Sequence, residues 1–141
     1  MSASEQYFAA PESGRQPTRP GRFLEPARDV PAVTFVDGLT FHPALGESVM
    51  VNMVHFAPHT EAPRHAHDEE QITIVVEGEL EFELGDTVRL LRPGMLAVIP
   101  PNVPHAARTR DQPSLEYDVF CPPRQALLDL TAAPETTGPS R

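Results

Sequence analysis

The chain has 141 residues, a formal charge of −9 and one cysteine, which is the length of one modest domain. With 11 Lys and Arg against 20 Asp and Glu, it lacks the positive surface that a non-specific binder of a nucleic-acid backbone needs. The lone cysteine excludes an intrachain disulfide framework, and 17 prolines, more than twice the ordinary share of ~5%, exclude a protein of long helices.

No stretch of about 20 apolar residues is present, so no membrane span is expected. The start, Met1 to Phe8, has no basic segment leading into an apolar core. It is not read as a secretory signal, and a cytoplasmic protein is the expectation.

Residues 1–31 carry Pro11, Pro17, Pro20, Pro26 and Pro31 with Gly14, Gly21 and four arginines. No period of 2 or 3.6 persists, so this reads as an extended or disordered arm. Phe23-Leu24 could anchor it on a body or a partner. Residues 32–130 read as the folded domain, and 131–141 as a flexible tail.

Within the domain, Val33, Phe35 and Leu39 suggest a first short strand turning at Asp37-Gly38. Ser48 to Phe56 is rich in β-branched residues and Met. His42 and His59 are placed in loops, and Pro58 and Pro63 bracket another loop. Gln71 to Glu77 reads as a strong strand ended by Gly78. Leu80, Phe82 and Leu84 alternate on one face of the next strand, and Glu77, Glu79, Glu81 and Glu83 on the solvent side. Gly85-Asp86 turns into Thr87–Leu91, and Arg92-Pro-Gly94 turns into Met95–Ile99, which Pro100-Pro101 stop. His105–Arg108 and Leu115–Cys121 are the last strands, and residues 124–130 allow a helical turn or two. About eight short strands with no separating helix exclude a βαβ sheet. The expected fold is all-β, with antiparallel sheets folding back as a sandwich or barrel.

Four side chains stand out. His65 and His67 are two apart and share a face of an extended segment. Gln71 heads the strongest strand, and His105 follows a proline-rich turn. Imidazole and amide oxygen both suit a divalent transition metal, although paired histidines beside a loop also occur as plain surface residues.

At these positions the chain resembles the cupin superfamily. The first cupin motif, Gly-x5-His-x-His-x3/4-Glu-x6-Gly, is matched by His65, His67, Gln71 and Gly78, with Gln71 in the glutamate's place and His59 where the leading glycine stands. The second, Gly-x5-Pro-x-Gly-x2-His-x3-Asn, is matched by Gly94, Pro100 and His105, with Asn102 for the glycine and Thr109 for the asparagine. The resemblance spans roughly residues 45–122 and implies an antiparallel β-barrel of the jelly-roll type. It also implies a divalent metal (Zn, Ni, Fe or Mn) on His65, His67, Gln71 and His105. Gln71 with Ile99-Pro-Pro-Asn-Val-Pro-His105 looks like the small group of pectin-degradation cupins that linearise 4,5-unsaturated uronates. That group's closing Asp-x-Phe-Ser-Pro-Pro-Arg signature reads here Asp118-Val-Phe120-Cys-Pro-Pro-Arg124. The resemblance implies that Asp118, Phe120 and Arg124 are substrate-site residues.

With Gln71 in place of a carboxylate, the ligand set is neutral and leaves the ion its full charge. That favours Lewis-acid polarisation of a carbonyl or enol oxygen. Asp118 is then the general acid/base, Arg124 the fork for a substrate carboxylate and Phe120 a pocket wall. His55, in register with Met53, is a candidate cavity residue or a satisfied core histidine. Arg64 reads as a surface residue, Glu69 as part of a solvated turn and Cys121 as a small buried hydrophobe. The expected activity is a non-redox isomerase, tautomerase or cyclase on an enol, hemiketal or unsaturated sugar-acid-like small molecule. The alternatives are an Fe(II) dioxygenase and a non-catalytic ligand-binding domain. A homodimer formed through outer sheet faces is expected, with the arm crossing to the partner.

Overall fold

A computed structural model describes residues 1–132. Ten strands follow in chain order: β1 (Val33–Val36), β2 (Leu39–Leu45), β3 (Met50–Phe56), β4 (Glu61–His65), β5 (Glu70–Glu77), β6 (Leu80–Leu84), β7 (Thr87–Leu91), β8 (Leu96–Ile99), β9 (His105–Arg108) and β10 (Ser114–Cys121). Helices α1 (Ala3–Phe8) and α2 (Pro26–Asp29) precede them, and α3 (Gln125–Ala132) follows.

The strands form two antiparallel sheets. One has six strands in the order β1-β2-β3-β10-β5-β8, the other four in the order β4-β9-β6-β7. The expectation of an all-β closed barrel is therefore corrected on two counts. Among the described residues three short helices are present, and neither sheet closes on itself or joins the other by ladder bonds. Closure would need donors along the free edges. Edge strand β4 carries Pro63, and β8 runs straight into Pro100-Pro101, none of which has an N–H to give.

The core lies between the sheets. Along β10 the burial alternates strictly, so Ser114, Glu116, Asp118 and Phe120 face inward. β3 alternates too, with Met50, Asn52, Val54 and Phe56 inward. Leu39, Val54, Phe56, Val75, Leu80, Phe82 and Ile99 form the main apolar cluster, all at most 4% exposed. Side chains of period two on both inner faces are what hold two such layers together.

Two strands lie where proline argued for loops. β2 contains Pro43 and His42, and β4 contains Pro63. β1 pairs with β2 only as far as Phe41, so at Pro43 the missing donor faces no neighbour on that side. In β4 the register shifts between Ala62 and His65, across Pro63. Proline is tolerated where a strand is an edge or a ladder is already broken.

The arm has more regular structure than its composition implies. Ser2 and Glu5 close a capping box on α1, and Pro26 opens α2. The arm is tied to the body by Thr18 Oγ1 donating to Glu47 at 2.8 Å, by Arg22 to the Leu45 carbonyl and by His42 Nδ1 to the Val30 carbonyl at 2.8 Å. Both helices bury nothing, and Phe23 is fully exposed. The expected tail lies, beyond Ala132, outside the described residues.

Four turns share one backbone feature. Gly78 and Gly94 have φ of +75° and +92°, and His59 and Asn102 have φ of +53° and +61°. The left-handed region is open to glycine, tolerated by Asn and uncommon for His. Positions 59 and 102 are the two glycine positions of the cupin motifs that this chain fills with another residue. The chain keeps the turn there without the residue. At Gly78 a substituted Cβ would lie 2.2 Å from the Pro113 carbonyl oxygen. Gly78→Ala is therefore expected to destabilise by more than about 2 kcal/mol, from left-handed strain plus a backbone clash. Urea unfolding of the variant beside the parent measures it.

Candidate metal centre

The three histidines come from two segments and meet at one end of the space between the sheets. His65 ends β4, His67 follows two residues later, and His105 begins β9, where it pairs with His65 across the ladder. Their candidate donor nitrogens all lie within 4.8 Å of one another. The turn before His105 is clamped to the His67 segment, because Asn102 N–H donates to the His67 carbonyl at 2.8 Å and its side-chain amide to Asp68 at 2.8 Å. Thr109 ties the other end of β9, accepting from the Thr60 N–H at 3.0 Å and donating to the Ala57 carbonyl at 2.6 Å.

All three rings are held the same way. Nδ1 of His65 faces the Pro63 carbonyl at 2.7 Å, that of His67 the Glu69 carbonyl at 3.0 Å and that of His105 the Val103 carbonyl at 2.9 Å. A carbonyl only accepts, so each Nδ1 carries the proton, and each Nε2 presents a lone pair toward the cluster. This is how metal-binding imidazoles are oriented by their outer partners.

Two further observations fit a cation. His105 is 2% exposed, yet among the described residues its Nε2 has no hydrogen-bond partner. And Nε2 of His67 lies 3.0 Å from Oε1 of Gln71. The Gln71 amide is fixed, because its Nε2 donates to Thr73 Oγ1 at 2.9 Å and to Asp118 Oδ1 at 3.1 Å. Two acceptors therefore face each other, an arrangement that a shared positive charge relieves. Imidazole nitrogens and an amide oxygen suit a divalent transition metal; the three-histidine cluster fits such an ion, whichever metal it is.

Two of the imidazoles, those of His65 and His105, also avoid charging. Burial pushes His105 down to about 4, its bond to the Val103 carbonyl opposing, and the neighbouring His65 and His67 push it further. Burial likewise lowers His65. Metal binding requires neutral imidazole, so these two rings keep their lone pairs into mild acid. In metal-free protein, the His105 ring protons should titrate near pH 4 by NMR, against 6.5 for a free imidazole. Between those values the unfolded chain binds a proton that the folded chain refuses. The His105 contribution to stability, at most about 3 kcal/mol, is therefore present above pH 6.5 and lost as pH falls toward 4.

Next to the histidines lies a cavity of about 280 Å³. Its walls are mostly apolar, including Phe41, Phe82 and Phe120, with Gln71, Asp118 and Arg124 among the polar groups. Phe120 packs edge-on to the His67 ring, with centroids 5.6 Å apart. Asp118 is 8% exposed and accepts from Thr73 Oγ1 at 2.7 Å. Burial raises its pKa, while bonds from Glu116, Thr73 and Gln71 pull the other way. Arg124, in the turn into α3, lines the cavity and lies 3.9 Å from Glu69 Oε1. Glu69 also reaches His67 Nδ1 at 3.5 Å, so it is half-buried beside the centre rather than part of a solvated turn.

Of the sequence-selected residues, His65, His67, Gln71, His105, Asp118, Phe120 and Arg124 come together. His55 does not. The β3 alternation turns it outward, and it is exposed. Cys121 is also exposed instead of buried. Arg64 lines the mouth of the cavity while bonding Glu83 at 3.1 Å. Glu116 was missed: it is 3% exposed and lines the cavity with Asn52. The signal was there, since Glu116 stands two residues before Asp118 and shares its face.

A protein-family model described as a cupin domain matches residues 52–120. Over 64 residues the chain is 45% identical to a Bacillus subtilis protein named H2HPP isomerase, covering 44% of this chain and 27% of that protein. The match thus spans about a quarter of that relative's length. Among solved structures, KdgF from Halomonas sp. is 29% identical, with a TM-score of 0.65 over 69% of this chain and 92% of that one. An RmlC-like cupin from Shewanella frigidimarina, at 24% identity, superposes with a TM-score of 0.70 over 77% and 96% and shares the fold. No helix among the described residues is long and apolar enough to cross a membrane.

Proposed function

From the premise that this chain carries a cupin-superfamily domain, with a three-histidine cluster fit for a metal-dependent enzyme, we propose that it is a non-redox isomerase, tautomerase or cyclase. Its substrate is a small enol, hemiketal or unsaturated ring acid. The observation that carries this reading is the Asp118–Gln71 bond. It ties a buried carboxylate facing the cavity to the amide beside the histidines.

A divalent ion held by His65, His67, His105 and Gln71 would supply Lewis acidity toward a carbonyl or enol oxygen. Asp118 accepts a proton from one position of the substrate and returns it to another, kept in place by Thr73 and Gln71. Arg124 forks onto the substrate carboxylate. Phe120 and the apolar walls exclude water and press a ring against Asp118. The cavity's ~280 Å³ lies at the low end for ligand pockets, which favours a single-ring acid over a polycyclic substrate. The isomerase name of the Bacillus subtilis relative agrees with this class.

The test is turnover without oxygen. Metal-loaded protein is supplied anaerobically, in D2O, with a 4,5-unsaturated uronate and with a panel of cyclic 2-oxo acids, and followed by proton NMR. Ring opening, or deuterium entering beside the carbonyl, at the same rate with and without air is the expected result. Turnover only with oxygen consumption would assign the cavity to a dioxygenase instead.

A further inference from the structure

Beyond Asp118 the cavity holds two polar groups to which the proposed reaction gives no role. Glu116 on β10 and Asn52 on β3 are 3% and 2% exposed, and both line the cavity. Glu116 bonds Asp118, but its Oε2, like Asn52 Oδ1, has no hydrogen-bond partner among the described residues. A buried polar atom left unpaired costs free energy that a protein normally avoids. Two of them on one cavity wall, otherwise built from Val54, Phe56 and similar residues, mark a place where a ligand group completes the bonding.

The register locates that place. Across β10 and β5, Phe120 stands opposite Gln71, Asp118 opposite Thr73 and Glu116 opposite Val75. Across β10 and β3, Asp118 stands opposite Asn52 and Glu116 opposite Val54. Glu116 is thus two steps, about 7 Å, farther from the histidine end than Asp118. Asn52 is its diagonal neighbour on the same inward face, within side-chain reach. A six-membered ring lying beside Asp118 covers that interval.

We propose that Asn52 and Glu116 form a specificity subsite for a hydroxyl group on the substrate ring, at the end opposite the group held at the histidines and Arg124. A hydroxyl donates into one of the two orphan oxygens and sits beside the other. A ring lacking it leaves both unpaired, which is a strong ground for rejection. The substrate class narrows to hydroxylated cyclic carboxylates. This inference rests on the metal and Arg124 anchoring proposed above.

The experiment uses Co(II)-loaded full-length protein and two probes, cyclohexanecarboxylate and trans-4-hydroxycyclohexanecarboxylate, titrated by calorimetry and by the Co(II) absorption. The hydroxy acid should bind at least ~10-fold more tightly, the scale of one well-made buried hydrogen bond. Asn52→Leu and Glu116→Met should erase that ratio and keep the affinity for cyclohexanecarboxylate, and Asn52→Leu, whose Oδ1 is unpartnered, should also raise the Tm of the metal-free protein. Equal affinity of the two acids for the parent protein would overturn the proposal. If neither acid binds, the metal and Arg124 anchoring fails, and the Tm arm then decides. A lowered Tm in Asn52→Leu assigns that wall to structure and overturns the subsite; a raised Tm supports it.

Discussion

His105→Ala is expected to abolish stoichiometric metal binding while leaving a folded protein. Changes that merely disturb the partners of a metal-bound histidine cost about 10- to 100-fold in affinity, so loss of the imidazole itself should cost more than ~100-fold. The fold should tolerate it. His105 Nε2 has no protein partner among the described residues, and β9 stays pinned by Thr109 on one side and Asn102 on the other. What the variant loses is the Nδ1 bond to the Val103 carbonyl and the ring contacts with His65, His67 and Phe82, at 4.3, 5.0 and 6.3 Å between centroids. Metal content by elemental analysis after dialysis, read beside the circular dichroism spectrum, measures both halves. A variant that keeps its metal would remove His105 from the ligand set and with it the basis of the proposed chemistry.

Asp118→Asn should leave metal binding largely in place and lower turnover by about 10²- to 10⁴-fold, the usual contribution of a positioned acid/base. The two effects separate because of what Asp118 touches. Its Oδ1 accepts from Gln71 and Thr73, and an asparagine Oδ1 accepts the same two bonds. Orientation of the Gln71 oxygen therefore survives, and proton transfer does not. Burial raises Asp118 above the usual carboxylate range, and it raises Glu116 further, the nearby Asp118 charge adding to it. Two carboxyls this close in a dry wall do not both ionise readily. A raised carboxyl holds its proton in the folded state at a pH where the unfolded chain has released it. The pair's favourable contribution to stability is thus present in acid and lost as pH climbs through its folded titration, opposite in sign to that of His105. Metal content and steady-state rates on one preparation of Asp118→Asn test the separation; equal loss of both would make Asp118 a positioning residue only.

Much of this was legible in the chain. Alternation gave β6 and β10, glycine and proline punctuation gave their ends, and the spacing of His65, His67, Gln71 and His105 drew attention to the residues that cluster. Proline misled where it could not show its context. Pro43 and Pro63 argued for loops, yet both sit in strands, one where its neighbour strand has ended and the other at a register shift. His55 failed for a related reason. Either parity of the SVMVNMVHF stretch could have faced inward, and only the packing of Asn52, Val54 and Phe56 decided that His55 faces out. Glu116 carries no motif of its own, and only the strict alternation of β10 in the packed structure puts it on the inward face with Asp118 and Phe120.

The sequence by itself determined the local chemistry: short strands, turns at Asp37-Gly38, Gly85-Asp86 and Arg92-Pro-Gly94, and three imidazoles and one amide as candidate donors. Those are properties of single residues and of periods of two, and they need no knowledge of what lies across a ladder. Only the tertiary structure decided that the two sheets remain open, that the three imidazoles present Nε2 to one point, and that the Gln71 oxygen is turned toward His67 by Asp118 and Thr73. These depend on which strands become neighbours and in what register. Register is set by burying one face of every strand at once, a condition on the whole chain that no single segment carries.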